Sequence, residues 1–182
     1  MTRPAILGLF LLTACAATAQ SVNSDALIIQ DFKNRVAEYV KLRSSIEGSL
    51  PQLKKGESAQ QIDDQSKAMA AKIRAARRRA KQGDLFTEPI RKELRRLIVI
   101  ASKGLDRPRI AASLKHAEPV APRLLINGVY PQGVPLQSTP PTLLANLPEL
   151  PKEVEYRIAG PLLVLVDAKT GLVLDYMKHA IP

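Results

Sequence analysis

Leu162 to Val166 is an unbroken apolar run, LLVLV, and Leu172 to Met177 answers it across the segment Asp167-Ala168-Lys169-Thr170-Gly171. Strands that are apolar on both faces must be covered on both. The two segments read as a hairpin. Asp167 can accept hydrogen bonds from backbone groups inside the turn, and Gly171 can take the positive φ it needs. Pairing Asp167 with Leu172 places Leu163, Leu165, Leu174 and Tyr176 on one face and Val164, Val166, Val173 and Met177 on the other. The same register sends Asp167 and Asp175 to opposite faces, which argues against an acid–base pair. Asp167 is then a turn former, and Asp175 a partner for a Lys or Arg of the remaining fold. Val154 to Ile158 supplies a third strand, ahead of the turn Ala159-Gly160-Pro161. A bare three-stranded meander would aggregate through its edges, so the rest of the chain has to shield it.

The residues ahead of it are helical. Ser24 can cap a first helix running to Gly48, with Ile28, Phe32, Val36, Tyr39 and Ile46 on one stripe widened by Ile29 and Val40. Ser58 to Gly83 reads as a second helix with a seam of Ile62, Met69, Ile73, Ala76 and Ala80. Lys67, Arg74, Arg78 and Lys81 take its opposite face, while Lys72, Arg77 and Arg79 flank the seam. Asp84-Leu85-Phe86 is a turn whose two apolar side chains plug the end of the bundle. Thr87 caps a third helix with Pro89 in its first turn and Ile90, Leu94, Leu97, Ile98 and Ala101 buried. Arg91, Lys92, Arg95 and Arg96 project outward, and Gly104 ends the helix. A short fourth helix is expected from Asp106 to Lys115. Brief connections make the long helices antiparallel neighbours.

Eight of the fourteen prolines fall between Glu118 and Pro151, a density that excludes regular helix or central strand. The same segment is rich in Leu, Ile and Val, too apolar for a free linker. It reads as a strap over the body, with a tight turn at Asn127-Gly128. The expected fold class is therefore α+β, with a helical region over 20–117, the proline-rich strap over 118–151 and the meander over 152–182. Gly160 to Asp175, GPLLVLVDAKTGLVLD, resembles the closing hairpin of several small bacterial periplasmic protein families. That resemblance implies an envelope location and carries no activity or site residue.

The first residues point the same way. Arg3 precedes an apolar stretch from Ala5 to Ala16, and Ala17-Thr18-Ala19 is a small-x-small cleavage site, so 1–19 reads as a signal peptide. A lipoprotein route competes, because Leu12-Thr13-Ala14-Cys15 resembles a lipobox that would anchor the chain through Cys15. The peptide ahead of Cys15 is short for that route, which favours cleavage after Ala19 and an exported, periplasmic or secreted protein. Cys15 is the only cysteine, so the cleaved chain has no disulfide. It also has no transmembrane helix.

The formal charge is +10. Twelve Lys and Arg against five Asp and Glu between Ser58 and Lys103 place +7 of charge in that window. Such a field attracts anions. Lys67, Arg74, Arg78, Lys81, Arg91, Arg95 and Arg96 are the candidate anion-binding residues. The partners implied are an anionic envelope polymer, lipid headgroups or an acidic protein. Export and the scarcity of aromatic side chains beside these cations argue against nucleic acid. His116 and His179 have no ligands at metal spacing, and no nucleophile, Walker or dinucleotide motif occurs. No catalytic, metal or cofactor site is expected. The leading function is a non-enzymatic interaction or structural module of the bacterial envelope. A periplasmic chaperone-like binder of unfolded clients is the alternative, and an enzyme or subunit with an unrecognised site is the third.

Overall fold

The computed structural model describes residues 23–53, 56–102, 123–131 and 141–180. The expected signal peptide with Cys15, the helix from Asp106 to Lys115, Gly104, His116 and parts of the proline-rich segment lie outside them. Helix α1 spans Ser24–Gly48, α2 Ala59–Ala76, α3 Glu88–Ser102, and α4 is the single turn Pro141–Leu144. Strands β1 (Val154–Ala159), β2 (Leu162–Asp167) and β3 (Val173–Met177) form one antiparallel sheet in the order β1-β2-β3. The fold is α+β.

Local chemistry sets most helix ends. Asn23, one residue ahead of the expected Ser24, caps α1 by accepting the Asp25 N–H at 3.0 Å. Ser58 caps α2 in a reciprocal capping box with Gln61. The far end of α2 departs from expectation. The helix stops at Ala76 rather than Gly83, and residues 77–79 form a turn. Met69, Ala70 and Ile73 are buried as the seam required, but Ile62 and Ala76 are exposed. On α3 the buried face is Ile90, Leu94 and Ile98, with Leu97 and Ala101 half-buried. The α4 turn corrects the exclusion of helix from the proline-rich segment. Pro141 opens it, where a missing N–H costs nothing, and Leu143 is buried in the main core.

The sheet divides two apolar clusters, as its double-faced sequence demanded. Phe32, Val36 and Tyr39 of α1, Ile73 of α2 and Leu94 of α3 pack with Leu163, Leu165, Leu172 and Leu174. Phe86 stacks on Phe32 with ring centroids 5.7 Å apart, and both apolar side chains of the Asp84–Phe86 turn are buried in this cluster. The other face holds Val164, Val166 and Val173 with Leu124, Tyr130 and, at the margin, Ile126 and Tyr176. Residues 127–130 are tied to the start of β3, with Asn127 N–H donating to Val173 O at 2.8 Å and Val173 N–H to Gly128 O at 2.8 Å. A bridge joins Val129 to Leu172. The expected tight turn is Leu125–Gly128, closed by Gly128 N–H to Leu125 O at 2.9 Å with Asn127 at φ 61°. Asn tolerates that left-handed conformation better than most residues.

One detail overturns the expected register. Leu165 pairs with Asp175 and Val166 with Val173, so β3 carries an extra residue, Leu174, opposite the Leu165–Val166 step. A bulge of this kind makes two successive side chains point the same way. Met177 therefore lies on the helix-facing side and Tyr176 on the other, the reverse of the simple alternation. Asp175 also turns toward the helices, on the same face as Asp167.

Asp175 is fully buried. Its partners are backbone amides rather than the expected Lys or Arg side chain. Gly83 N–H lies 3.0 Å from Oδ1 and 3.1 Å from Oδ2, Leu85 N–H 2.9 Å and Phe86 N–H 2.8 Å from Oδ2, and Tyr176 N–H 2.8 Å from Oδ1. The carboxylate thus gathers the connection between α2 and α3 onto β3. Removing such an acceptor strands several buried donors, each costing about 1–3 kcal/mol. Asp175→Ala should lower the unfolding free energy in urea by about 3 kcal/mol or more. Asp175→Asn should cost less, since its carboxamide oxygen remains an acceptor. A loss below about 0.5 kcal/mol for Asp175→Ala would contradict the anchoring role.

Candidate anion-binding face

The seven candidate cations fall into two groups. On α3, Arg91 pairs with Glu88 at 2.8 Å, and Arg96 pairs with Glu93 and reaches Asp25 at 3.2 Å. The Glu93 hydrogen bond, foremost among its causes, pushes the Arg96 guanidinium above its ordinary value. Arg95 donates to the carbonyls of His179 at 3.3 Å and Lys178 at 3.2 Å, tying α3 to the chain just beyond β3. These three act within the fold. On α2, Lys67 pairs with Asp63 at 2.6 Å, and that hydrogen bond raises its pKa. Arg74 Nε donates to the Asn127 carbonyl at 2.9 Å. Arg78 and Lys81 are exposed, and neither side chain has a carboxylate partner among the described residues.

From Lys72 to Lys81 the sequence KIRAARRRAK contains six cations and no acid. No ion pair among the described residues involves any of the six, whereas cations elsewhere on α1, α2 and α3 are repeatedly paired. Most of this positive charge is therefore not cancelled by the fold.

Arg77, expected only to flank the α2 seam with its charge in water, has a different role from its neighbours. It turns inward at the C-terminal cap of α2. Nη1 donates to Asn127 Oδ1 at 2.9 Å and Nη2 to the Leu174 carbonyl at 3.1 Å, while the guanidinium lies 5.3 Å from the centre of the Tyr39 ring. Asn127 Nδ2 returns a hydrogen bond to the Arg77 carbonyl at 2.8 Å. Burial pushes this guanidinium down from its ordinary value, with Tyr39, Asp175 and Asp84 acting in the opposite sense. One arginine thus fixes the turn, the bulge and the Leu125–Gly128 loop together.

The second buried aspartate completes the polar framework. Asp167 Oδ1 accepts from Lys169 N–H at 3.1 Å, Thr170 N–H at 2.7 Å and Thr170 Oγ1 at 2.8 Å, as a turn former should. Its Oδ2 accepts from Tyr39 Oη at 2.7 Å and Arg43 Nε at 2.9 Å. Arg43 and Lys169 both reach Glu47 at 2.8 Å. Tyr39, Arg43 and Glu47 recur at every fourth residue of α1, so they share one face. A groove of about 380 Å³ beside them is lined by Arg43, Glu47, Lys152, Glu153 and Lys169. Its Arg43, Glu47 and Lys169 are already paired, so this is a structural ion network. A larger groove of about 520 Å³ runs between Val36, Ala37 and Val40 of α1 and the Leu150-Pro151 segment. Among the described residues no His, Cys, Asp and Glu side chains cluster as metal ligands, and no helix is long and apolar enough to cross a membrane.

The chain matches no protein family, no curated protein and no solved structure.

Burial alone would raise the Asp167 pKa. The hydrogen bonds from Tyr39 and Thr170 and the charge of Arg43 outweigh it and hold the carboxyl below its ordinary 3.8. For Glu47 the Lys169 hydrogen bond leads the same downward shift. A carboxylate with a lowered folded-state pKa stabilises the fold fully above its unfolded value, and the contribution is lost as pH falls through the lowered one. Urea midpoints should therefore hold steady near neutrality and fall as the pH drops below 4.5, where Glu47 begins to lose its contribution, and further below 3.8, where Asp167 does. Asp167→Asn should be less stable near pH 7 and show a shallower acid decline. An unchanged acid slope in Asp167→Asn would sink this assignment.

Proposed function

We propose that this chain is an exported, non-enzymatic module of the bacterial envelope whose α2 face and following turn engage anionic envelope components. The observation carrying this reading is the stretch from Lys72 to Lys81, with six cations, no acid and no ion pair among the described residues. A basic surface kept only for solubility is normally interspersed with both signs. Here Arg78 and Lys81 form the centre, with Arg74 beside them, its Nε held by the Asn127 carbonyl, and Lys67 an outlying member held by Asp63. Arg91, Arg95 and Arg96 contribute less, since each is engaged by acids or carbonyls of the fold. Export rests on the residue pattern from Met1 to Ala19. The proline-rich strap over the second sheet face belongs to the same reading, supported by the packing of Leu124, Ile126 and Tyr130 there.

The purified chain should bind both long-chain polyphosphate and vesicles containing phosphatidylglycerol. Binding should weaken at least about tenfold between about 0.05 and about 0.5 M salt, because exposed charges are screened over shorter distances as ionic strength rises. Arg78→Gln combined with Lys81→Gln should weaken both interactions by an amount on the order of thirtyfold, at about fivefold per cation. No binding, or binding indifferent to salt, would refute the reading.

A further inference from the structure

The basic turn after α2 is bonded to a loop with apolar residues at its surface. Arg74 and Arg77 both donate to Asn127, at 2.9 Å each, and Asn127 donates back to the Arg77 carbonyl at 2.8 Å. Two residues to either side of Asn127 stand Leu125 and Val129, 72 % and 52 % exposed. Leu125 is the most exposed large apolar side chain among the described residues. Single exposed leucines are ordinary. Here, however, the leucine and the valine flank the residue that the cationic turn grips. The loop is also held in shape, by Asn127 N–H to Val173 O and Tyr130 N–H to Gly171 O at 2.8 Å each. Apolar and cationic groups are thus presented together at one tip, already ordered before any partner arrives.

A soluble polyanion would satisfy only the cations. A lipid surface satisfies both sets, because phosphate groups lie at the level of the charges and acyl chains begin just beneath. We infer that this tip docks on an anionic lipid bilayer, with Leu125 and Val129 entering the boundary between headgroups and acyl chains while Arg74, Arg78 and Lys81 meet lipid phosphates. This rests on the anion-binding reading above and narrows its partner to the membrane surface. Arg77 is the positioning residue: half-buried, it holds the loop against the turn.

The test compares the native chain with Leu125→Ser/Val129→Ser and Arg78→Gln/Lys81→Gln. Binding is measured by sedimentation with vesicles of phosphatidylcholine, with and without phosphatidylglycerol, and by titration with polyphosphate in solution. The apolar double variant should bind anionic vesicles at least about tenfold more weakly and bind polyphosphate as the native chain does. The charge variant should weaken both. The sequence contains no tryptophan, so Leu125→Trp reports insertion directly. Its emission should shift to the blue with anionic vesicles and not with polyphosphate. If the apolar variant binds anionic vesicles like the native chain and the tryptophan shows no shift, membrane docking is wrong while anion binding stands. If the charge variant leaves both ligands unaffected, the anion-binding reading fails, and this inference with it. Matching urea midpoints would establish that the variants remain folded.

Discussion

A carboxylate taken out of water costs several kcal/mol unless its oxygens are supplied with donors. This fold buries two in a three-stranded sheet, and the single extra residue in β3 decides where they point. Without Leu174 as a bulge, Asp175 would face the second apolar cluster, away from every amide it now accepts. With it, Asp167 and Asp175 both face the helices, one receiving the side chains of Tyr39 and Arg43, the other the backbone between α2 and α3. Hydrophobic burial is non-directional and would tolerate several placements of helices on the sheet. Two fully satisfied carboxylates admit far fewer, since any slip strands a charge. The apolar clusters hold the layers together, and the aspartates fix their alignment.

Arg77 extends that framework to the surface. Its guanidinium takes the carbonyl of Leu174, so the bulge is recognised from both sides, by Asp175 toward Phe86 and by Arg77 toward Asn127. The same residue is the C-terminal cap of α2. Once Arg77 turns inward, Arg78, Arg79 and Lys81 leave the helix in a turn instead of continuing a single basic stripe. The cationic surface and the core packing are therefore coupled through one residue, and the turn is not a loose appendage.

Much of this architecture could be read from the chain. The apolar period of α1, the cap at Ser58, the burial of Leu85 and Phe86 and the three strands to within a residue at their ends all follow from local chemistry. The bulge does not. When Val173, Leu174, Tyr176 and Met177 are all apolar, sliding the register by one residue exposes no polar side chain, so alternation cannot report it. A signal was nonetheless present, because a lone Asp inside an apolar strand is rarely buried without dedicated partners. Arg77 was harder. In the run Arg77-Arg78-Arg79 the three residues are chemically identical, and only the position of Asn127 and the Tyr39 ring selects which one turns inward. The candidate cations of α3 differ, since Glu88–Arg91 and Glu93–Arg96 are spaced i, i+3, and helical spacing did offer the signal that these two would be engaged.

The charges left over are not explained by helix stability. A helix C-terminus favours cations in its last turn, and Arg74 lies there. That effect fades beyond the final turn, so it does not account for Arg78, Arg79 and Lys81. Elsewhere this chain places acids beside its bases, as Asp63 with Lys67 and Glu93 with Arg96 show. The absence of any acid from Lys72 to Lys81 is thus a local departure from the chain's own habit. It falls where Asn127 brings Leu125 and Val129 to the surface. Mutual repulsion among these cations is relieved when phosphates arrive, and two exposed apolar side chains are relieved when acyl chains do. A lipid surface, the partner we infer, answers both at the same place, whereas a soluble polyanion answers only the charges.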